Sequence, residues 1–276
     1  MPAHELDPTP RRLRLVEQAG RGVRVLALAN QKGGVAKTTS TVNLAAALRE
    51  KGYRVLVIDM DPQSNLTMSQ GIDAEVLEQS MFDVLVHKVP IVDVIHRAEV
   101  DIAVGSIDLA GAELAMASMI GRERALEKAI LAVAHDYDWI LIDTPPSLGL
   151  LTINALTAAD GVIVPVQCEY LSLRGLVQLE ATLAMIREHL NPRVRIIGIL
   201  PTMLDRRLLH AREALDLLEK NFGDLVFRTR IRKTVRLAEA PVSGTSVLRY
   251  DPKGAAAESY RALAEEVLSG GEEETS

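Results

Sequence analysis

Val23-Arg24-Val25-Leu26-Ala27-Leu28-Ala29 runs directly into Asn30-Gln31-Lys32-Gly33-Gly34-Val35-Ala36-Lys37-Thr38-Thr39, and the reading of this stretch decides the fold. The first seven residues form the short apolar run of a buried strand. A turn with two glycines follows, and over 38–51 Val42, Ala45, Ala46 and Leu48 recur at helical spacing. Gly52 ends that helix, and 54–59 reads as a second buried strand. Strand, helix and strand in so short a span make a βαβ unit with parallel strands, and parallel strands need helices on both faces. The pattern continues: 101–104, 139–143, 161–166 and 194–200 read as buried strands. Between and after them, 122–135, 148–158, 172–190, 206–222 and 255–268 read as amphipathic helices. The expected class is α/β: a doubly wound, mostly parallel sheet flanked by helices on both faces.

The turn between the first strand and helix carries the chemistry. Glycines let a backbone approach phosphate oxygens, successive N–H groups form an anion nest, and a helix N-terminus adds positive potential. Lys37 is placed to reach the β- and γ-phosphates, and the Thr38 hydroxyl suits Mg²⁺, a hard cation that takes oxygen ligands. Against the general pattern G-x-x-x-x-G-K-[ST], Gln31 stands at the first glycine and Ala36 at the second. The sequence instead reads Lys-Gly-Gly-x-x-Lys-Thr, with a second lysine at Lys32. If φ is positive at 36, alanine there is strained by roughly 1 kcal/mol.

Composition bounds the rest. The 276 residues are 48% hydrophobic, enough for a sizeable core, and the lone Cys168 can form neither an internal disulfide nor a cysteine cluster for zinc or iron–sulfur. No run approaches the roughly 18 apolar residues of a membrane span. A reduced, cytoplasmic protein is expected. Net charge is −6, unevenly spread: residues 191–253 hold 13 Lys or Arg against 7 Asp or Glu, an excess of +6, which leaves −12 for the rest. Residues 1–22 lack an apolar period and read as a mobile arm, 23–268 as one domain, and 269–276 as a flexible acidic tail.

The loop resembles that of the ParA/Soj chromosome and plasmid partitioning ATPases, in the deviant Walker group with MinD and the nitrogenase iron protein. The resemblance extends to Asp59-Met60-Asp61-Pro62-Gln63, similar to the family's switch I, and Asp143-Thr144-Pro145-Pro146-Ser147, similar to its Walker B and switch II. Pro165-Val166-Gln167 and Val235-Arg236-Leu237-Ala238-Glu239-Ala240-Pro241 also fit. It implies an ATP site at Lys32, Gly33, Gly34, Val35, Ala36, Lys37, Thr38 and Thr39, with base contacts at Met203 and Arg232. It implies Mg²⁺ at Thr38, Asp59 and Asp143, an attacking water positioned by Asp61, and Lys32 reaching a second subunit's ATP in a homodimer. DNA contacts are implied at Arg207, Arg236 and Lys253, and a ParB-type partner that stimulates hydrolysis on the nucleoid.

A MinD-like membrane role needs a basic amphipathic C-terminal helix, whereas 254–276 hold one arginine and six glutamates. Cargo positioning on a surface other than DNA is the alternative reading. If Lys32 acts across a dimer, Lys32→Ala retains nucleotide binding and loses dimer-dependent hydrolysis. Steady-state hydrolysis against protein concentration checks this, and unchanged hydrolysis contradicts it.

Overall fold

The computed structural model of the chain describes residues 23–168, 172–205 and 209–270. The arm at 1–22, Arg207 and the tail beyond 270 lie outside the described residues. Seven strands run β1 (Arg24–Leu28), β2 (Val55–Asp59), β3 (Ile95–His96), β4 (Asp101–Ala103), β5 (Trp139–Asp143), β6 (Gly161–Gln167) and β7 (Ile196–Thr202). Their order in the sheet is β3-β4-β2-β5-β1-β6-β7. Every pairing is parallel except that of β3 with β4.

Helices α1 (Lys37–Glu50), α2 (Asn65–Ser69), α3 (Met81–Val86), α4 (Ala112–Ala115), α5 (Ala125–Leu131) and α6 (Leu150–Ala158) fill the crossovers of the first half. The second half holds α7 (Ser172–His189), α8 (Leu209–Phe222), α9 (Arg236–Val242), α10 (Val247–Tyr250) and α11 (Ala255–Ser269). β2 and β5 are buried at every residue, as strands covered on both faces must be. α1 is buried from Ser40 to Leu48 rather than along one stripe, because it lies between the sheet and α11. There the hydroxyls of Ser40 and Tyr260 meet at 3.2 Å.

Three features differ from the sequence expectation. The 122–135 helix is a 3₁₀ turn at Arg122–Arg124 followed by α5, which ends at Leu131. The remainder winds as turns whose bonds from Ala132, Val133 and Asp136 reach back only three residues. The edge strand β3 and the short helices α2, α3, α4, α9 and α10 were not read, being too brief to show a period.

Register does the positioning. Leu28 and Asp59 both pair with Asp143, so the ends of β1, β2 and β5 lie level and the two aspartates stand side by side. Adjacent strands are about 4.8 Å apart, which brings both carboxylates to the exit of the first strand.

The outer side of the sheet has its own tight point. On β7, a Cβ added to buried Gly198 would lie 2.1 Å from Phe227 Cε2, whose residue is bonded through its backbone N–H to the Ile199 carbonyl at 2.9 Å. Gly198→Ala is therefore expected to cost about 1–3 kcal/mol. Urea denaturation checks it, with partial recovery expected when Phe227→Leu is added.

Candidate nucleotide-binding site

The loop after β1 is tied down before it meets any ligand. Asn30 donates from Nδ2 to the Pro165 carbonyl at 2.7 Å, and its Oδ1 accepts the Lys32 N–H at 2.9 Å. From β7, the buried Thr202 hydroxyl donates to the Val35 carbonyl at 2.9 Å. Between these anchors Gly34 and Ala36 take left-handed conformations, with φ of 71° and 64°. The strain expected of alanine at 36 is thus present, roughly 1 kcal/mol. Ala36 caps α1 without a side-chain bond, and no acidic residue occupies the first turn. The turn's N–H groups are left for an anion.

Three ionisable groups converge behind the loop. Thr38 Oγ1 donates to Asp143 Oδ2 at 2.6 Å, and Lys37 Nζ donates to the Lys32 carbonyl at 3.4 Å. Asp143 is fully buried, and burial next to Asp59 pushes its carboxyl up to about 8. Burial likewise raises Asp59 to about 6. Lys37 is lowered because burial outweighs the attraction of Asp143 and Asp61.

Asp143 Oδ1 is buried with no hydrogen-bond partner among the described residues. A buried carboxylate oxygen without a donor, beside a threonine hydroxyl and facing a phosphate loop, is the donor set a Mg²⁺ ion takes. Thr38 and Asp143 fit that ion.

Asp59 is differently employed. Its Oδ2 accepts the Thr67 N–H at 2.9 Å and the Thr67 hydroxyl at 2.8 Å, and its Oδ1 accepts the Asp61 N–H at 3.2 Å. Thr67 Oγ1 in turn accepts the Gly105 N–H at 2.9 Å, and a Cβ on Gly105 would sit 2.9 Å from Asp59 Cγ. Both Asp59 oxygens thus accept hydrogen bonds that shape the Asp61 loop.

A 430 Å³ cavity opens over the loop. One wall is Gly33, Gly34, Ala36, Lys37, Thr38 and Thr39; Asp61 and Gln63 close another side; Met203, Ala240, Pro241 and Thr245 form the far side with Asn43. Val35 is buried beneath the loop and does not line it. Lys32 Nζ donates to Gln167 Oε1 at 3.3 Å, on the surface.

Arg232 does not join this cavity. The backbone bridge between Leu204 and Arg232 brings their segments together, but Arg232 lines a separate 620 Å³ groove with Arg228, Arg230, Lys233 and Arg236. In that groove Arg236 pairs with Glu239 at 2.9 Å and lies 3.9 Å from Asp251, and Arg230 pairs with Glu219. Lys253 is exposed two residues beyond Asp251.

Glu99 and Thr245 carry no signal in the sequence. Glu99 accepts from Thr245 Oγ1 at 2.6 Å, Ser246 N–H at 2.7 Å and Ser246 Oγ at 2.5 Å, fixing the far wall. Asn43 bonds the Thr39 carbonyl one turn back, so its place beside the loop was available from the i, i+4 spacing.

Known proteins match this arrangement. An AAA domain family profile covers residues 23–196. The chain is 47% identical over 251 residues to the sporulation initiation inhibitor protein Soj of Bacillus subtilis, covering 90% of this chain and 99% of that protein. It is 43% identical over 252 residues to the chromosome partitioning protein ParA of Caulobacter vibrioides, covering 90% and 94%. Among solved structures, cobyrinic acid a,c-diamide synthase from Mycobacterium smegmatis with bound ADP and magnesium superposes with a TM-score of 0.79 at 41% identity, covering 90% of this chain and 94% of that one.

The raised carboxyls set a pH dependence. An acid whose folded pKa lies above its unfolded value favours the fold while protonated, and that contribution is lost as pH rises from the unfolded towards the folded value. Without nucleotide or metal, stability should fall between about pH 4 and 8, the span from 6 to 8 belonging to Asp143. Urea midpoints across pH check this: Asp143→Asn should flatten the upper span, and an unchanged slope contradicts the assignment.

Proposed function

The chain belongs to the ParA/Soj family of partitioning ATPases, and on that premise we propose that it is a DNA-segregation switch driven by ATP. ATP binding favours a homodimer with two nucleotides sandwiched between its subunits. The dimer holds duplex DNA without regard to sequence, and a ParB-type partner stimulates hydrolysis and release. The supporting observation is the coexistence in one domain of the uncapped phosphate loop, with Thr38 and Asp143 behind it, and the arginine-lined groove at 228–236.

In this reading the loop N–H groups and Lys37 hold the phosphates, and the Lys37 carbonyl contact is exchanged for phosphate. Thr38 and Asp143 would hold Mg²⁺, which would supply charge neutralisation to the bound phosphates. Asp61 is 8% exposed at the cavity edge, with Oδ1 accepting the Gln63 N–H at 3.0 Å; its remaining oxygen is available to orient water. Lys32 acts in the partner subunit's site. Positioning and charge compensation carry such a reaction, so a slow intrinsic rate that waits on a partner is its natural regime.

The groove cations neutralise DNA phosphates, and Arg236 exchanges Glu239 for phosphate on binding. Among the described residues no helix is long and apolar enough to cross a membrane. A second reading follows from the name of the mycobacterial structure: an ATP-dependent ligase acting on a small molecule. It leaves the arginine groove without a task.

Retention on random-sequence duplex DNA separates the two. It should require ATP rather than ADP and fall steeply with salt, whereas a ligase binds no duplex in any nucleotide state. Arg236→Glu should abolish retention and spare ATP binding, and wild-type retention in that variant contradicts the role of the groove.

A further inference from the structure

The DNA reading above requires the groove to sense the nucleotide cavity, and the short helix α9 touches both. Its first residue, Arg236, lines the groove, and Ala240 and Pro241 line the cavity. Seven residues at 1.5 Å each make a rod of about 10 Å between the two sites.

The far end of α9 is clamped. Pro241 is followed by the turn at Thr245 and Ser246, which Glu99 holds with three hydrogen bonds, and Val247 N–H donates to Asn43 Oδ1 at 2.7 Å. At the groove end Val235 is 69% exposed, and Arg236 is held by exposed partners, Glu239 of its own helix and Asp251 at the end of α10.

α2 packs directly on α9, and just beyond the ends of both helices a backbone contact joins the rod to the Asp61 loop. α2 begins four residues after Asp61, is anchored by Thr67 on Asp59, and ends at Ser69, two residues before Gly71. Gly71 and Gly244 are both left-handed, with φ of 77° and 66°, and their backbones abut. A Cβ on Gly244 would lie 2.9 Å from Gly71 Cα and 3.2 Å from its nitrogen. No other residue type fits such an approach without displacing one of the two turns. Gln63 and Asn65 on one side of this joint and Pro241 and Thr245 on the other line the same cavity. An occupant of the cavity therefore presses on both elements that meet at the glycines.

We infer that Gly71 and Gly244 are positioning residues: their backbone contact transmits occupancy of the nucleotide cavity from the Asp61 loop through α9 to Arg236 in the basic groove. Coupling of this kind needs packed elements in direct contact, with the two ligands favouring different arrangements. It is also reciprocal, so duplex DNA tightens ATP binding by the factor by which ATP tightens DNA binding.

The two glycines supply their own control. Gly71→Ala and Gly244→Ala both place alanine at positive φ, but a Cβ on Gly71 would meet Gly244 Cα only at 3.6 Å, an ordinary contact. Only Gly244→Ala forces the joint apart. The experiment measures, in the full chain, duplex retention with and without a non-hydrolysable ATP analogue. It also measures amide hydrogen exchange over 61–72 and 236–250 with and without the analogue and without DNA.

Wild type and Gly71→Ala should show analogue-dependent retention of roughly fivefold or more, and analogue-dependent exchange in both segments. Gly244→Ala should bind the analogue with wild-type affinity, yet its retention ratio should fall to near one and its exchange over 236–242 should no longer respond. A response in Gly244→Ala equal to wild type overturns the inference, as does equal loss in Gly71→Ala, which would make left-handed strain the cause. If wild type retains no DNA in any state, the DNA reading fails, and exchange alone decides the link. Should Gly244→Ala not fold, an analogue response in wild type confined to 61–72 overturns the link, and one spanning 236–242 supports it.

Discussion

Two carboxylates and an ammonium are taken out of water at one end of a parallel sheet, and most of the site exists to make that tolerable. Asp59 and Asp143 are fully buried and Lys37 nearly so. Leaving such charges unmatched costs several kcal/mol each. Asp59 is matched by three donors from Thr67 and Asp61. Asp143 receives one bond, from Thr38, and keeps one oxygen with no donor. The protein thus satisfies the carboxylate that shapes a loop and leaves incomplete the one that lies behind Thr38. In the proposed reading a cation brought in with nucleotide completes that carboxylate.

The loop's strained backbone follows from the same requirement. Ala36 at φ 64° sits between an anchored Val35 and the buried Lys37, with Thr202 holding the carbonyl before it. The cost of a left-handed alanine, roughly 1 kcal/mol, is offset by tertiary bonds from β6 and β7 that leave the chain no other course. The far wall of the cavity is built in the same way, from Glu99 and Asn43 reaching the turn after α9. Distant segments thereby become walls of one cavity, and a ligand there is felt by elements that lead to the arginine groove.

How far the sequence reveals this depends on the range of the interaction. Strands such as 55–59 and 139–143 are legible because burial on both faces demands an unbroken apolar run. The phosphate loop is legible because its chemistry is contiguous from Gly33 to Thr38. The roles of Thr202, across 167 residues from Val35, and of Glu99, across 146 from Thr245, depend on neighbours that only the fold supplies. Arg232 shows the converse: its segment lies beside that of Met203, but the two side chains line different cavities. The 122–135 helix failed because apolar spacing continues past Leu131, where turns lead the chain into β5.

The most direct measurement is of metal affinity at the incomplete carboxylate. Mn²⁺ binding to the ADP complex, followed by electron paramagnetic resonance, should weaken by about tenfold or more in Asp143→Asn and remain near wild type in Asp59→Asn folded to the same extent, since ligand loss and loss of a loop anchor act differently. Equal Mn²⁺ affinity in wild type and Asp143→Asn would contradict the account, because the unpartnered oxygen would then have no cation to serve.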